Sequence, residues 1–427
     1  MQRYDSYKDS GVEWLGEIPS HWLLKKSKFI WKEIDDRSIH GDEELLSVSQ
    51  YSGIVPRTDD SRSESLEDYK KCYPDDLVVN IMLAWMGGLG IANNTGIVSP
   101  AYCVYRQIEN HNPKFLGYLY RTQIYLAEFA RHSKGIVPSR WRMYTEDFGQ
   151  VLTLLPPCEE QDRIVAFLDE KTAEIDAAIA KKERLIELLK EQKNILINHA
   201  VTRGLNPNVP MRDSGVEWIG EIPEHWKVFR LTFLAKLLQT GPFGSQLHQE
   251  DYIDDGIPVI NPTQLESGRI IPNTKISVSE KTAITLSRHR LREGDIVFAR
   301  RGEMGRCGLV RLEQSGWICG TGSILFRPNK EIINPLYITN CFSSYFVKRY
   351  LEFVSVGCTM DNLNTEILGK LPLPIPPMLE QESLIKEIDA ITIQYELLRT
   401  HQERAVEQLK ELQQVTISMA VTGKILI

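Results

Sequence analysis

Apolar residues step four, three, four, three along the C-terminal stretch of the chain. The positions are Leu384, Ile388, Ile391, Tyr395, Leu398, Gln402, Ala405, Leu409, Leu412, Thr416 and Met419, nine of the eleven apolar. The same stepping recurs 220 positions earlier, through Ile164, Leu168, Lys171, Ile175, Ala178, Lys182, Leu185, Leu189, Gln192, Leu196 and His199, with seven of eleven apolar. Such spacing, held over more than three heptads, predicts two long helices with a coiled-coil seam. Each set begins just past a proline pair, Pro156–Pro157 and Pro376–Pro377, which suits a helix start and forbids an earlier one. Lys171 and Lys182 weaken the first seam, and pairing with the second helix would offset that. Matched length and register favour mutual, antiparallel packing over two helices that each pack only on their own domain. Between the helices, short apolar runs such as Leu77–Leu83, Ile97–Tyr105 and Ile296–Ala299 are broken by Gly, Pro and Asn and predict strands. Helical patterns close each interior, at Pro113–His132 and Pro335–Val354.

The helices are one part of an internal duplication. DSGVEWLGEIPSHW at Asp9–Trp22 returns as DSGVEWIGEIPEHW at Asp213–Trp226, identical at twelve of fourteen positions. LPPCEEQDRIVAFLDE at Leu155–Glu170 answers IPPMLEQESLIKEIDA at Ile375–Ala390, and AVTRG at Ala200–Gly204 answers AVTGK at Ala420–Lys424. The interiors between these frames, 23–154 and 227–374, share only loose matches, such as GDIVFARRGEMG at Gly294–Gly305 with DDLVVNIMLAWMG at Asp75–Gly87. The expected fold is α+β: two mixed α/β domains joined by two long antiparallel helices, as a pseudo-two-fold tandem duplication. Its parts are a first domain (1–155), a central helical region (156–205), a second domain (206–375) and a C-terminal helical region (376–427). A fixed frame with variable contents suggests a scaffold that presents two different recognition surfaces.

Composition narrows the class. The chain has 427 residues, 42% hydrophobic and 25% charged, ordinary for a globular protein. Its apolar runs are too short for a membrane span, and the polar start MQRYDSYKDSG does not read as a signal peptide. Seven cysteines without a C-x-x-C spacing suggest buried reduced thiols and a cytoplasmic location. The net charge of −7 argues against a generic polyanion binder, but it is uneven. Between Arg288 and Arg311, seven arginines face only Glu293, Asp295 and Glu303, and a local patch steers a polyanion more than the global sum does. Arg288, Arg290, Arg292, Arg300, Arg301 and Arg306 are candidate contacts to phosphates or guanine edges, which guanidinium groups match. In the first domain, Arg131, Lys134, Arg140 and Arg142 interleave with Trp141, which suits a polyanion with stackable bases; a solvated loop with a packing tryptophan reads equally well.

Catalytic motifs are missing from the sequence. It contains no H-E-x-x-H, G-x-S-x-G or Walker loop, no N-P-P-aromatic methylation motif, and no correctly ordered PD…(D/E)xK set. GPFGSQL at Gly241–Leu247 lacks the Lys-Ser/Thr that a phosphate loop needs. The nine histidines are scattered, and no metal site is expected.

The opening YKDSGVEWLGEIPSHW, its copy at Asp213–Trp226, and the P-P-x-x-E-Q signature (Pro156, Pro157, Glu160, Gln161; Pro376, Pro377, Glu380, Gln381) resemble the specificity subunits of type I restriction–modification systems. YIDDGIPVINPTQLESGRI at Tyr252–Ile270 and GDIVFARRG at Gly294–Gly302 look like that family's target-recognition domains. The resemblance spans essentially the whole chain. It implies a non-catalytic subunit whose two recognition domains each read one half of a bipartite, asymmetric site on double-stranded DNA. The helices would space those halves and dock two modification subunits, with restriction subunits completing the complex. S-adenosylmethionine, ATP and Mg2+ would be bound by those partners, and no cofactor by this chain. Two other readings are an enzyme with an unrecognised nuclease or methyltransferase site, and an anti-restriction or regulatory adaptor with the same fold.

Overall fold

A computed structural model describes all residues except 1, 51–52, 58–65, 138–139, 245, 267, 303–304 and 356–362. The chain forms two compact units, Met1–Glu183 with Arg404–Ile427, and Arg184–Glu403. The two long helices, Cys158–Arg203 and Met378–Val421, each contribute to both units.

Each helix starts where its sequence says it should. The carbonyl of Pro157 accepts from the backbone N–H groups of Glu160 and Gln161, and that of Pro377 accepts from Glu380 and Gln381. Each ends at a glycine in the left-handed region, Gly204 (φ +73°) and Gly423 (φ +69°), the usual conformation just past a helix. At 46 and 44 residues they are about 66–69 Å long at 1.5 Å per residue.

Within each unit the helix halves run antiparallel. In the first unit Gln413 donates to Asp176 (2.9 Å), and Lys410 lies 3.8 Å from Glu183. Ile164, Val165 and Leu168 share one core with Ala420 and Val421. In the second unit Lys193 meets Glu396 at 2.9 Å, and Ile197, Ala200 and Val201 share a core with Leu384, Ile385 and Ile388.

The pairing is as expected, but the seam drifts. Ile164, Leu168, Ile175, Leu189, Leu384, Ile388, Ile391, Tyr395 and Leu409 keep their places on the sheltered stripe. Leu185, Leu196, Leu398 and Leu412 do not, being 41%, 37%, 39% and 49% exposed. Ile186, Lys193, Ile197 and Ala200 replace the first pair in the stripe, and Gln413 and Ala420 continue the second. From Ile164 to Ala200, and from Leu384 to Ala420, ten turns take 36 residues rather than the 35 of a strict heptad repeat. A straight helix at 3.6 residues per turn drifts about 20° per heptad from a 3.5 repeat, so over about five heptads the sheltered position moves on by one residue.

The two interiors have diverged in sequence, yet both build the same antiparallel four-stranded sheet. Its order is Trp31–Ile34, Tyr102–Gln107, Leu77–Asn80, Leu89–Ile91 in the first unit, and Ala235–Thr240, Ser323–Pro328, Ile296–Ala299, Cys307–Leu309 in the second. Two helices follow each sheet, Pro113–Tyr120 with Gln123–His132 and Pro335–Phe342 with Tyr345–Ser355. Proline at the first turn and a capping asparagine start the leading helix of each pair: Asn112 accepts from Phe115 N–H, and Asn334 from Leu336 N–H. The second unit adds a small mixed sheet that contains one parallel pair, Ile257–Ile260 with Ile318–Cys319. Five of the six described cysteines are buried free thiols; Cys158 is exposed, and Cys358 lies outside the described residues.

Candidate nucleic-acid interface

The repeated signature residues turn out to be structural. Glu160 is buried and accepts from Tyr4 Oη (2.5 Å), Trp22 Nε1 (3.1 Å) and His21 Nε2 (2.8 Å). Gln161 donates to the Pro156 carbonyl and accepts from Asn112 N–H, locking the helix start to the capped helix of the interior. Glu380 and Gln381 repeat the pattern on His225, the Pro376 carbonyl and Asn334 N–H. Within each unit the frame therefore clamps its interior domain.

A second duplicated pin was missed in the sequence. Asp76 and Asp295, each 1% exposed, immediately precede equivalent strands. Each holds an arginine from the neighbouring strand, Arg106 at 2.8 Å and Arg327 at 2.7 Å. Each also accepts a backbone N–H, from Tyr73 and Arg292 respectively. The loose match of DDLVV to GDIVF carried this signal: an acid ahead of an apolar run in both copies.

In the first unit, the basic segment after residue 130 is partly neutralised by its own domain. Arg131 makes a bidentate pair with Glu128 (2.8 and 2.6 Å), and His132 adds a third contact (3.0 Å). Burial opposes ionisation of Glu128, but the Arg131 hydrogen bonds and the Arg131 and His132 charges outweigh it and hold the carboxyl below its ordinary value. Lys134 pairs with Asp147 at 2.6 Å. Exposed Arg140 and half-buried Arg142 form no ion pair among the described residues, and the Arg142 guanidinium donates to the Trp141 carbonyl (2.8 Å). Lys134 and Arg142 close a two-bond bridge at 2.9 Å each, and Trp141 packs edge-on to Trp85, ring centroids 5.3 Å apart. Ile136 projects beyond this bridge at 97% exposure.

In the second unit the arginine window divides. Strand Ile296–Ala299 puts Arg288, Arg290 and Arg292 at one end and Arg300, Arg301 and Arg306 at the other, about 13 Å apart at the usual strand rise. Arg290 is paired with Glu280, and Arg300 donates to the Leu363 carbonyl. Arg288, Arg292 and Arg301 are exposed and form no ion pair among the described residues. Arg306 is half-buried, its Nε without a partner among them. Glu303, the one opposing carboxylate in the loop, lies outside the described residues, as does Ser245 of the glycine-rich loop. Next to Arg288, His289 is buried, and by distance and angle neither ring nitrogen finds a partner among the described residues; burial, then the Arg288 charge, pushes its imidazole below the ordinary value against a smaller opposing effect of the Thr240 backbone. Among the described residues no cluster of His, Cys, Asp and Glu could hold a metal ion, and no helix is long and apolar enough to cross a membrane.

Residues 223–408 match the family model of the type I restriction modification DNA specificity domain. The EcoBI specificity subunit of Escherichia coli is 21% identical over 99% of this chain and 87% of its own length. The chain is thus similar to type I specificity subunits over nearly its whole length, and residues 223–408 carry the match to their DNA specificity domain. The MjaX specificity subunit of Methanocaldococcus jannaschii is 24% identical, over 64% of this chain and 58% of that protein. The fold of the family is matched as well. A chain from a structure of type I R-M complex assembly and conformational transition superposes with TM-score 0.69, at 18% identity, over 96% of this chain and 99% of that one. The HsdS subunit of Thermoanaerobacter tengcongensis gives 0.50, at 18% identity, over 96% and 98%. The likeness to these solved chains is one of fold, and it spans both interiors and both long helices.

Proposed function

We propose that each unit reads a different half of one DNA site and that the chain itself performs no chemistry. The observation that carries this reading is the contrast between frame and contents. The same sheet and the same Asp–Arg pin recur in both units, yet the candidate arginines that form no ion pair among the described residues do not correspond: Arg140 and Arg142 in one, Arg288, Arg292, Arg300, Arg301 and Arg306 in the other. Identical scaffolds with unlike guanidinium placements select unlike base edges, because bidentate contacts discriminate bases by position. Arg131, Lys134 and Arg290 spend their charge on partners in their own domain and serve as supports. Two modification subunits, bearing S-adenosylmethionine, would dock on the helical frame, and restriction subunits, using ATP and Mg2+, would join them.

Methylation mapping of the host genome, with and without this chain, tests the reading. Replacing interior 227–374 with that of another specificity subunit should change one half of the methylated motif and leave the other half intact. If both halves change, or neither, the assignment of one unit to one half-site is wrong.

A further inference from the structure

We infer that a cavity in the second unit, between residues 269–270 and 311–314, seats one phosphate of the DNA backbone. The inference rests on the DNA-reading role proposed above and adds a place where the duplex is held rather than read. The cavity has a volume of about 280 Å³ and is lined by Arg269, Ile270, Arg311, Glu313 and Gln314. Arg269 and Arg311 are exposed, and neither forms an ion pair among the described residues. Glu396 lies close enough to feel the Arg269 charge, but its carboxylate is in contact with Lys193 at 2.9 Å and Arg399 at 2.7 Å instead.

The walls are fixed before any ligand arrives. Gln314 is buried; its side-chain oxygen accepts from Arg311 N–H (2.9 Å) and its amide donates to the Ile270 carbonyl (3.2 Å). One buried glutamine therefore ties together the two segments that carry the guanidinium groups. Behind them, Leu309 N–H bonds the Gly268 carbonyl (3.0 Å). A Cβ on Gly308 would come within 2.6 Å of the Ile270 side chain and 3.0 Å of the Arg269 carbonyl, so the strands approach as closely as they do only because that residue is glycine.

The charge balance selects the ligand. Among the lining residues two guanidinium groups face one carboxylate, Glu313, a balance of one positive charge that suits a phosphodiester monoanion better than a free phosphate dianion. Guanidinium forks match phosphate oxygens geometrically. The cavity lies inside the segment that matches the DNA specificity domain, 223–408. A backbone phosphate there would set the register of the duplex without carrying sequence information.

The test uses the full chain in complex with modification subunits from its host and a duplex of random sequence, titrated between 50 and 200 mM KCl. Arg269→Gln with Arg311→Gln should flatten the slope of log affinity against log salt by about 0.9, the value for one phosphate contact. It should also weaken low-salt binding about tenfold, the loss expected for a charge-assisted hydrogen bond, and leave the methylated motif unchanged. Arg269→Lys with Arg311→Lys should keep most of the slope, which separates lost charge from lost folding. An unchanged slope in the glutamine variant overturns the inference. So does inorganic phosphate raising the melting temperature of the wild type but not of the glutamine variant while the slopes agree, because the cavity then serves a free anion. If the slope falls as expected but the wild type binds all duplex sequences equally, the cavity assignment stands and the sequence-reading role fails.

Discussion

Glu160 and Glu380 occupy the same place in two copies of one signature, yet their removal should have very different costs. Glu160 is 4% exposed and accepts three hydrogen bonds; Glu380 accepts one, from His225, which is itself 45% exposed. In Glu160→Ala, the Trp22 indole N–H loses its acceptor in a fully buried site and the Tyr4 hydroxyl in a half-buried one, while His21 can turn to water. An orphaned buried donor costs about 1–3 kcal/mol, so the expected loss is about 3 kcal/mol. Glu380→Ala removes a partly exposed pair worth about 0–1 kcal/mol, because Trp226 Nε1 is already buried without a partner. For a unit of this size, 1 kcal/mol shifts the melting temperature by about 2–4 °C. Calorimetry should therefore show the first unit melting about 6–12 °C lower in Glu160→Ala and the second unit nearly unmoved in Glu380→Ala. A paired control sharpens the contrast: Trp22→Phe should cost stability, whereas Trp226→Phe, which deletes an unsatisfied N–H, should cost far less. Equal losses in the two glutamate variants would refute the reasoning and mean that packing, not hydrogen-bond supply, governs both clamps.

Other consequences can be checked on the same material. The pKa of His289 is lowered in the folded protein, so below about pH 6.5, the ordinary imidazole value, the unfolded chain binds more protons and stability falls with pH; urea midpoints of the second unit should drop from pH 7.5 to 5.5, and His289→Phe should abolish that slope. Tyr4 is shifted the other way, by burial and then by its bond to Glu160; its contribution is complete below about pH 10 and is lost at higher pH, so alkaline unfolding of the first unit should move to lower pH in Glu160→Ala. A Cβ on Gly423 would lie 2.5 Å from Pro19 at φ +69°, and Gly423→Ala should destabilise the first unit by about 2 kcal/mol in denaturant titration; no measurable loss would mean that the helix end relaxes freely. Deleting residues 181–187 together with 397–403 removes two turns from each helix, about 10.5 Å at 1.5 Å per residue. If the helices set the spacing, the gap between methylated half-sites should shorten by about three base pairs at 3.4 Å each, and an unchanged gap would show that they do not.

Local pattern carried the frame, because the information there is local. Proline pairs and heptad stepping each act within a turn or two of helix, and each element they mark is present. Leu185, Leu196, Leu398 and Leu412 escaped the pattern for a global reason: a heptad count assumes supercoiled helices, and the sheltered stripe here advances 36 residues in ten turns. The interface was less legible because charge counting is blind to pairing. Arg131 and Glu128 are three apart on one helix, a spacing at which side chains meet, so that neutralisation could have been read directly. Lys134 with Asp147, and Trp141 with Trp85, depend on chain folded between them, and no spacing rule reaches that far. The +4 window from Arg288 to Arg311 looked like one patch until Ile296–Ala299 became a strand and split it.

Arg269 lay outside that window, yet folding brings it beside Arg311. Asp295 lay inside it and was counted as an opposing charge, although it is buried against Arg327 and so subtracts nothing from the surface. Both errors have one origin. A charge acts on a polyanion only if it is exposed and unpaired, and those two properties are set by contacts across the sheet rather than along the chain. The candidate arginines that remain after this filter differ between the two units. They are therefore the first positions to change when one half-site, and not the other, is to be altered.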